Sequence, residues 1–229
     1  MKFPTSILNE YFKRFPFFKG IISVWGAFGV GKTTFAIQTS MNSIKNGNRI
    51  IYIYSKPVFP YEKINRIFRD SIEILDKITF IIPDNFNDLH NILFNLEYLI
   101  LRNLNVANNH YNLIVIDSLT DLYRLELNRE KKDKNYNLNY YLNQILANLS
   151  YINDSYNINI LIVNEQVQIR DNNQPTEVQS GGKVMEYWVA LDIKIERTEI
   201  LKKRKLTLTK HPEDKHITFM SELTENGFQ

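Results

Sequence analysis

The stretch Gly26-Ala27-Phe28-Gly29-Val30-Gly31-Lys32-Thr33, followed by Thr34, decides how this 229-residue chain is read. It satisfies the pattern G-x-x-x-x-G-K-[ST] at every fixed position. The spacing has a physical reason. Glycines let the backbone curl until successive N–H groups point into one concavity, which suits phosphate oxygens. A helix opening near Lys32 adds unpaired N–H groups and the positive end of its dipole. The Lys32 ammonium supplies a point charge to the β- and γ-phosphates of a nucleotide, and the Thr33 hydroxyl suits the coordination shell of Mg²⁺. Gly26, Ala27, Phe28, Gly29, Val30, Gly31, Lys32, Thr33 and Thr34 are therefore the candidate nucleotide-binding residues.

The flanks support this reading. Ile21-Ile22-Ser23-Val24-Trp25 is an apolar strand that runs into the loop. Thr33 to Lys45 follows with helical spacing of Phe35, Ile37, Met41 and Ile44, and it stops at Asn46-Gly47. Further along, Leu113-Ile114-Val115-Ile116-Asp117 is a second apolar strand, ending in a carboxylate. In open α/β sheets the ligand lies beyond the carboxyl ends of the strands, so Asp117 is placed to hold Mg²⁺, through water, together with Thr33. The bland alternative is a strand-ending Asp that caps the next helix.

Strand and helix signals alternate along the rest of the chain. Strands are expected at Ile50 to Tyr54, Ile78 to Ile82, Leu113 to Ile116 and Ile160 to Val163. Helices are expected at Tyr61 to Leu75, Asp88 to Leu101 and Tyr140 to Ile152. Toward the C-terminus the rhythm changes to two alternating stretches, Leu191 to Glu196 and Lys205 to Thr209, joined by a basic turn. Continuous apolar strands between helices predict an α/β fold with a mostly parallel twisted sheet, helices on both faces and a C-terminal antiparallel hairpin. No repeat or linker divides the sequence, so residues 1–229 are expected to form one domain.

Composition narrows the function classes. Hydrophobic residues make up 44%, enough for a substantial core, and Lys+Arg exceeds Asp+Glu by 28 to 25, a net charge of +3. That excess is too small for a polybasic arm, so nucleic-acid contact has to come from local clusters. With no cysteine, a disulfide framework, a zinc finger and a thiolate nucleophile are excluded. No run of about 18 apolar residues is present and no signal-type N-terminus is seen, so a soluble cytoplasmic protein with no membrane contact is expected. His90, His110, His211 and His216 show no metal-ligand spacing.

The order of the motifs resembles the RecA/RadA recombinase superfamily, and within it the short archaeal RadB-type paralogues that lack a separate N-terminal DNA-binding domain. The resemblance runs from about Thr5 to Phe228. It is carried by the phosphate loop, by Tyr111 to Thr120 as the segment ending in Asp117, and by Leu161-Ile162-Val163-Asn164-Glu165-Gln166-Val167. Gly181-Gly182-Lys183 with Tyr187-Trp188, Lys210-His211-Pro212-Glu213 and Thr224-Glu225-Asn226-Gly227-Phe228 complete it. The resemblance implies a RecA-like core that binds ATP and Mg²⁺, with Lys32 and Gln166 as catalytic residues. Gln166 would sense the γ-phosphate, a role an amide suits because it donates and accepts at once. Lys210 would close over the nucleotide of a neighbouring subunit; the alternative is an exposed edge-strand lysine that serves solubility.

One departure matters. The family places a water-orienting glutamate just after the second strand, where this chain reads Tyr52-Ile53-Tyr54-Ser55-Lys56-Pro57, and the glutamate's place falls on Lys56. An ammonium has no acceptor and cannot take a proton from water. The expectation is ATP binding with slow or absent hydrolysis; Glu62 and Glu165 are the candidate substitutes for the missing carboxylate, and nothing in the sequence places either near the water.

Three basic clusters are candidate DNA contacts. The first is the segment 128–134, with Arg129, Lys131, Lys132 and Lys134 against Glu130 and Asp133. The second is an expected loop from Gln168 to Ser180, with Arg170 alone and no aromatic residue to stack on bases. The third is Lys202, Lys203 and Arg204 with Lys205, in the hairpin turn. Together they point to weak, salt-sensitive, sequence-independent binding of single-stranded DNA. The aromatic N-terminus (Phe3, Tyr11, Phe12, Phe15, Phe17, Phe18) either closes the core or docks a partner. The resemblance implies a nucleoid-associated recombinase paralogue in DNA recombination and repair, working with the main recombinase or another paralogue subunit. The competing reading is a KaiC-like or archaellum-type nucleotide-binding regulatory subunit with no direct DNA role.

Overall fold

The computed structural model describes residues 1–14, 19–44, 49–104, 110–127, 130–171, 174–211 and 216–229. Strands β1 (Ile21–Gly26), β2 (Arg49–Tyr54), β3 (Ile78–Ile81), β4 (Tyr111–Asp117), β5 (Asn159–Asp171), β6 (Gln174–Gln179), β7 (Val189–Arg197), β8 (Lys203–Lys210), β9 (Ile217–Thr224) and β10 (Gly227–Phe228) form one sheet system. The order across it is β10-β9-β8-β7-β1-β5-β4-β2-β3, with β6 paired only to β5. From β7 to β3 every pairing is parallel, and β8, β9 and β10 extend the sheet antiparallel.

The strands are buried on both faces because their side chains alternate between two cores. Leu113 and Val115 of β4 and Leu161 and Val163 of β5 join one core, and Ile114, Ile116, Ile160 and Ile162 join the other. The first core is covered by α1 (Ser6–Phe12), α2 (Lys32–Ile44) and α3 (Tyr61–Ile67), including Phe35 and Ile64. The second is covered by α4 (Phe86–Phe94), α5 (Leu96–Leu104), α6 (Thr120–Glu126), α7 (Lys132–Tyr156) and α8 (Gly182–Trp188). Phe3, Tyr11 and Phe12 pack into the first core, with Phe3 and Phe12 rings 5.0 Å apart, so the described N-terminal aromatics close the core; Phe15, Phe17 and Phe18 lie outside the described residues.

Several elements differ from the sequence expectation. The helix expected from Tyr61 to Leu75 ends at Ile67. Phe68 drops into the core, residues 69–77 form a 3-10 segment in which Ser71 leaves helical angles, and Ile72 faces solvent. The helix expected from Asp88 to Leu101 breaks at Asn95, whose side-chain amide donates to the Asn91 carbonyl and competes with the helical ladder. The loop expected from Gln168 to Ser180 is a β-ribbon instead. β5 continues past the parallel sheet and pairs antiparallel with β6, from Gln166 opposite Gln179 to Asp171 opposite Gln174. Its alternation is masked by Gln, Asn and Thr, which read as turn residues. The helix expected at Tyr140 to Ile152 is longer, because Leu138 extends the buried face and Asn157 closes it in the left-handed conformation.

Candidate nucleotide site

The C-terminal ends of four parallel strands meet at one edge of the sheet. Register alone aligns them: Gly26 pairs with Glu165, Tyr54 with Asp117, and Asp117 with Val163. The phosphate loop leaves β1 there and turns into α2 at Lys32. Beyond it opens a cleft of about 1350 Å³, lined among others by Phe28, Gly29, Lys32, Thr33, Thr34, Lys56, Asp121, Glu165 and Gln166.

Two glycines are required by both angle and space. Gly26 has φ +152 and a Cβ there would lie 2.2 Å from the Ile195 carbonyl oxygen. Gly31 has φ +110 and a Cβ there would lie 2.8 Å from Leu223 Cδ2. The loop is braced from behind by the antiparallel strands. Arg204 Nε donates to the Val30 carbonyl at 3.1 Å, while its Nη1 donates to the carbonyls of Leu201 and Lys203. Phe228 N donates to Gln38 Oε1 at 2.7 Å, and the Phe228 ring meets Phe35 edge-on at 5.6 Å. Arg204 is therefore buried against the loop, and only Lys202 and Lys203 of the expected basic turn face solvent together.

The charged groups form an alternating cluster. Lys32 Nζ donates to the carbonyls of Gly26 (2.9 Å) and Ala27 (2.8 Å) and to Glu165 Oε2 (2.8 Å). Lys56 Nζ lies 2.8 Å from Asp117 Oδ1, 3.8 Å from Glu165 Oε1, and donates to Thr33 Oγ1 at 3.2 Å. Asp117 is fully buried, and its Oδ2 accepts from the Tyr52 hydroxyl at 3.1 Å. Burial and then the Asp117 charge push the Tyr52 phenol well up, which keeps it a donor. Burial pulls the Lys32 pKa down against the opposing pull of Glu165. At Lys56 burial acts downward too, but Asp117 and Glu165 outweigh it and the net shift is upward.

Gln166 lines the cleft at the point where β5 leaves the parallel sheet and the ribbon begins. Behind it runs a buried polar chain: Thr120 Oγ1 donates to Asn164 Oδ1, Asn164 Nδ2 and Ser23 Oγ donate to Gln179 Oε1, and Gln179 Nε2 donates to both Asp192 oxygens. Sequence reasoning misses this chain because each member is an ordinary polar residue. It also leaves Glu165 unplaced, and its adjacency to Gln166 just after the apolar run of β5 is the available signal. Glu62 pairs with Arg66 at the exposed side of the cleft.

Other expected sites lie elsewhere. Lys131, Lys132 and Lys134 are exposed at the start of α7, with Lys134 paired to Glu126 at 2.6 Å. Arg129 and the Arg170 side chain lie outside the described residues. Lys210 donates to the Glu186 carbonyl at the end of β8 away from the phosphate loop. Six residues of strand, roughly 20 Å, separate Lys210 from Arg204.

Whether Thr33 and Asp117 fit a divalent cation follows from the same geometry. Mg²⁺ demands oxygens at about 2.0–2.1 Å. Here the two oxygens are already bridged by the Lys56 ammonium. As placed, these residues do not fit the ion, because its position coincides with a positive charge.

A phosphate loop between β1 and α2, a carboxylate closing β4 and the parallel order β3-β2-β4-β5-β1 define a P-loop nucleotide-binding core of RecA type. The chain belongs to the Rad51 family, whose sequence pattern matches residues 18–227. Membership implies nucleotide binding, with magnesium in general. The chain is similar to the DNA repair and recombination protein RadB of Methanococcus maripaludis, at 33% identity over 215 residues, covering 92% of this chain and 91% of that protein. It is also similar to the proteins of that name in Methanocaldococcus jannaschii, at 32% over 180 residues (78% and 79% covered), and in Pyrococcus furiosus, at 28% over 152 residues (64% and 60% covered). Among the described residues no helix is long and apolar enough to cross a membrane.

Proposed function

We propose that the chain is a RadB-like recombinase paralogue that binds ATP, hydrolyses it slowly or not at all, and assists homologous recombination and DNA repair. The observation that carries this reading is Lys56. It fills the sequence position where the family resemblance expects a water-orienting carboxylate, and its ammonium lies inside the phosphate-loop site, 3.2 Å from Thr33 Oγ1. Binding survives that replacement because the loop amides, the α2 N-terminus and Lys32 supply the grip on phosphate. Water activation does not, because a charged lysine accepts no proton. Glu165 also lines the cleft, and it is held by Lys32 at 2.8 Å.

Gln166, at the junction of cleft and ribbon, is the group placed to pass the state of the nucleotide to the ribbon. Lys210 cannot reach its own chain's phosphate loop, which supports its acting on a neighbouring subunit. The partners that fit are the main recombinase or another paralogue subunit, with single-stranded DNA held weakly through Lys131, Lys132, Lys202 and Lys203. The relatives are named for recombination and repair, which favours this reading over a KaiC-like or archaellum-type regulatory subunit.

Steady-state turnover of the wild type against Lys32→Ala tests the reading, with ATP affinity measured beside it. The expected result is tight ATP binding lost in Lys32→Ala and turnover near background in both. A brisk ATPase abolished by Lys32→Ala would overturn the hydrolysis claim. Co-purification with a motor or membrane complex, in place of a recombinase, would overturn the recombination role.

A further inference from the structure

Thr33 Oγ1 and Asp117 Oδ1 are the oxygens that a phosphate-loop protein turns toward a divalent cation. In this chain a side chain of the protein itself lies between them, with Lys56 Nζ 3.2 Å from the first and 2.8 Å from the second. We propose that the Lys56 ammonium takes the place of the divalent cation, so that the cleft binds a nucleoside triphosphate without magnesium. The inference rests on the nucleotide-binding reading above and states how the phosphate charge is met within it.

Three features of the site support the substitution. First, the ammonium has three donors. Thr33 accepts from it, Asp117 Oδ1 lies 2.8 Å away as its ion-pair partner, and the Lys56 side chain keeps 19% of its surface open on the cleft, which leaves a donor for a phosphate oxygen. Second, the position is fixed by the frame. Asp117 ends β4, Lys56 follows the end of β2, and these strands pair in register through Tyr54 and Asp117. The Ser55 side chain ties the two segments again: its hydroxyl donates to the Ser118 carbonyl and accepts from Ser118 N at 3.0 Å. Third, a second cation cannot share the spot. A divalent ion between Thr33 and Asp117 would stand within contact distance of the ammonium, a repulsion that grows as water is excluded. Magnesium could enter only by expelling Lys56 from a fully buried carboxylate.

The test is calorimetric titration of the full chain with ATP, in excess EDTA and in excess magnesium, for the wild type and for Lys56→Ala. Nucleotide-induced shifts in Tm are read in the same four conditions. The wild-type Kd is expected to change less than about threefold between EDTA and magnesium. Lys56→Ala is expected to bind about tenfold or more weakly than the wild type in EDTA and to regain affinity when magnesium is added. Lys56→Gln serves as the second variant should Lys56→Ala fold poorly, and the wild-type pair of titrations decides the matter alone. Wild-type binding that requires magnesium, or variants that match the wild type in EDTA, overturns the inference and leaves nucleotide binding intact. No binding by the wild type in either condition overturns the nucleotide reading, and the inference with it.

Discussion

A carboxylate with no exposure to water is tolerated only when a charge or several donors face it. Asp117 meets that requirement with Lys56 at 2.8 Å and the Tyr52 hydroxyl at 3.1 Å. Removing one partner of such a pair leaves the other charge stranded. Lys56→Ala is therefore expected to cost about 2–4 kcal/mol, reduced from the fully buried case because the lysine keeps some exposure. Adding Asp117→Asn to that variant should recover most of the loss, and urea denaturation of the single and double variants reads the difference. A double variant no more stable than Lys56→Ala would show that the pair is not what Asp117 depends on. The presence of a lysine at this place is legible from the order of motifs. Its target is not, because the distance from Lys56 to Thr33 depends on how β2 registers on β4 and how the loop leaves β1. Neither register is written in local sequence. Glu165 is hidden for the same reason: two polar residues follow the apolar run of β5, and only the pairing of Glu165 with Gly26 brings the first of them onto Lys32.

The parallel strands and the first helix after the phosphate loop are the most legible elements, since apolar runs bounded by glycine leave little choice. Helices α3 and α4 are shorter than their apolar spacing suggests, because that spacing continues past points where Phe68 and Asn95 turn the chain. The ribbon of β5 and β6 reads as a loop in the sequence. Its partners bond through backbone, and the alternation of Val167 and Ile169 with Gln168 is too short, among polar neighbours, for a sequence scan to reward. The brace behind the phosphate loop is not legible at all. Gln38 sits in the middle of α2, yet its amide makes two hydrogen bonds to Phe228, donating to the carbonyl at 3.2 Å and accepting from the N–H at 2.7 Å. Gln38→Ala is expected to destabilise the fold by about 2–3 kcal/mol, since buried backbone groups of β10 lose their partners. Hydrogen exchange should show faster exchange at Phe228 and in the first turn of α2. Unchanged protection there would mean that β10 does not brace the loop.

Two properties belong to the molecule as a whole. The first is its response to pH. Burial pushes the Asp192 carboxyl up to about 6, against the Gln179 hydrogen bonds that pull the other way. A raised carboxylate pKa means that the folded state holds its proton more tightly than the unfolded chain. Stability contributed by that proton is present below about pH 4 and is lost as pH rises through about 6. Asp192→Asn removes the titrating group and is expected to flatten stability between pH 4 and 6, as followed by denaturation at several pH values. A variant with the wild-type pH profile would show that another group sets it. The second property is the distribution of a net charge of only +3. Lys131 and Lys132 at the head of α7, and Lys202 and Lys203 where the β7–β8 turn enters β8, are exposed patches on separate elements. Neutralising the pair that binds single-stranded DNA should lower the salt slope of log K by roughly 0.7 for each phosphate the protein no longer neutralises. If neither double variant changes the salt titration, direct DNA binding by these clusters fails.

Strand β5 is a single uninterrupted rod of thirteen residues, anchored at one end between β1 and β4 and, among the described residues, paired at the other only with β6. Glu165 and Gln166 sit where the anchored half gives way to the half paired with β6. Such a part behaves as a lever with its fulcrum at the cleft. Whatever seizes the outer end has to work against the groups that line the cleft, and thermodynamic reciprocity makes the traffic run both ways. An occupant of the ribbon that tightens the hold on ATP by some factor must itself be held tighter, by that same factor, once ATP is in place.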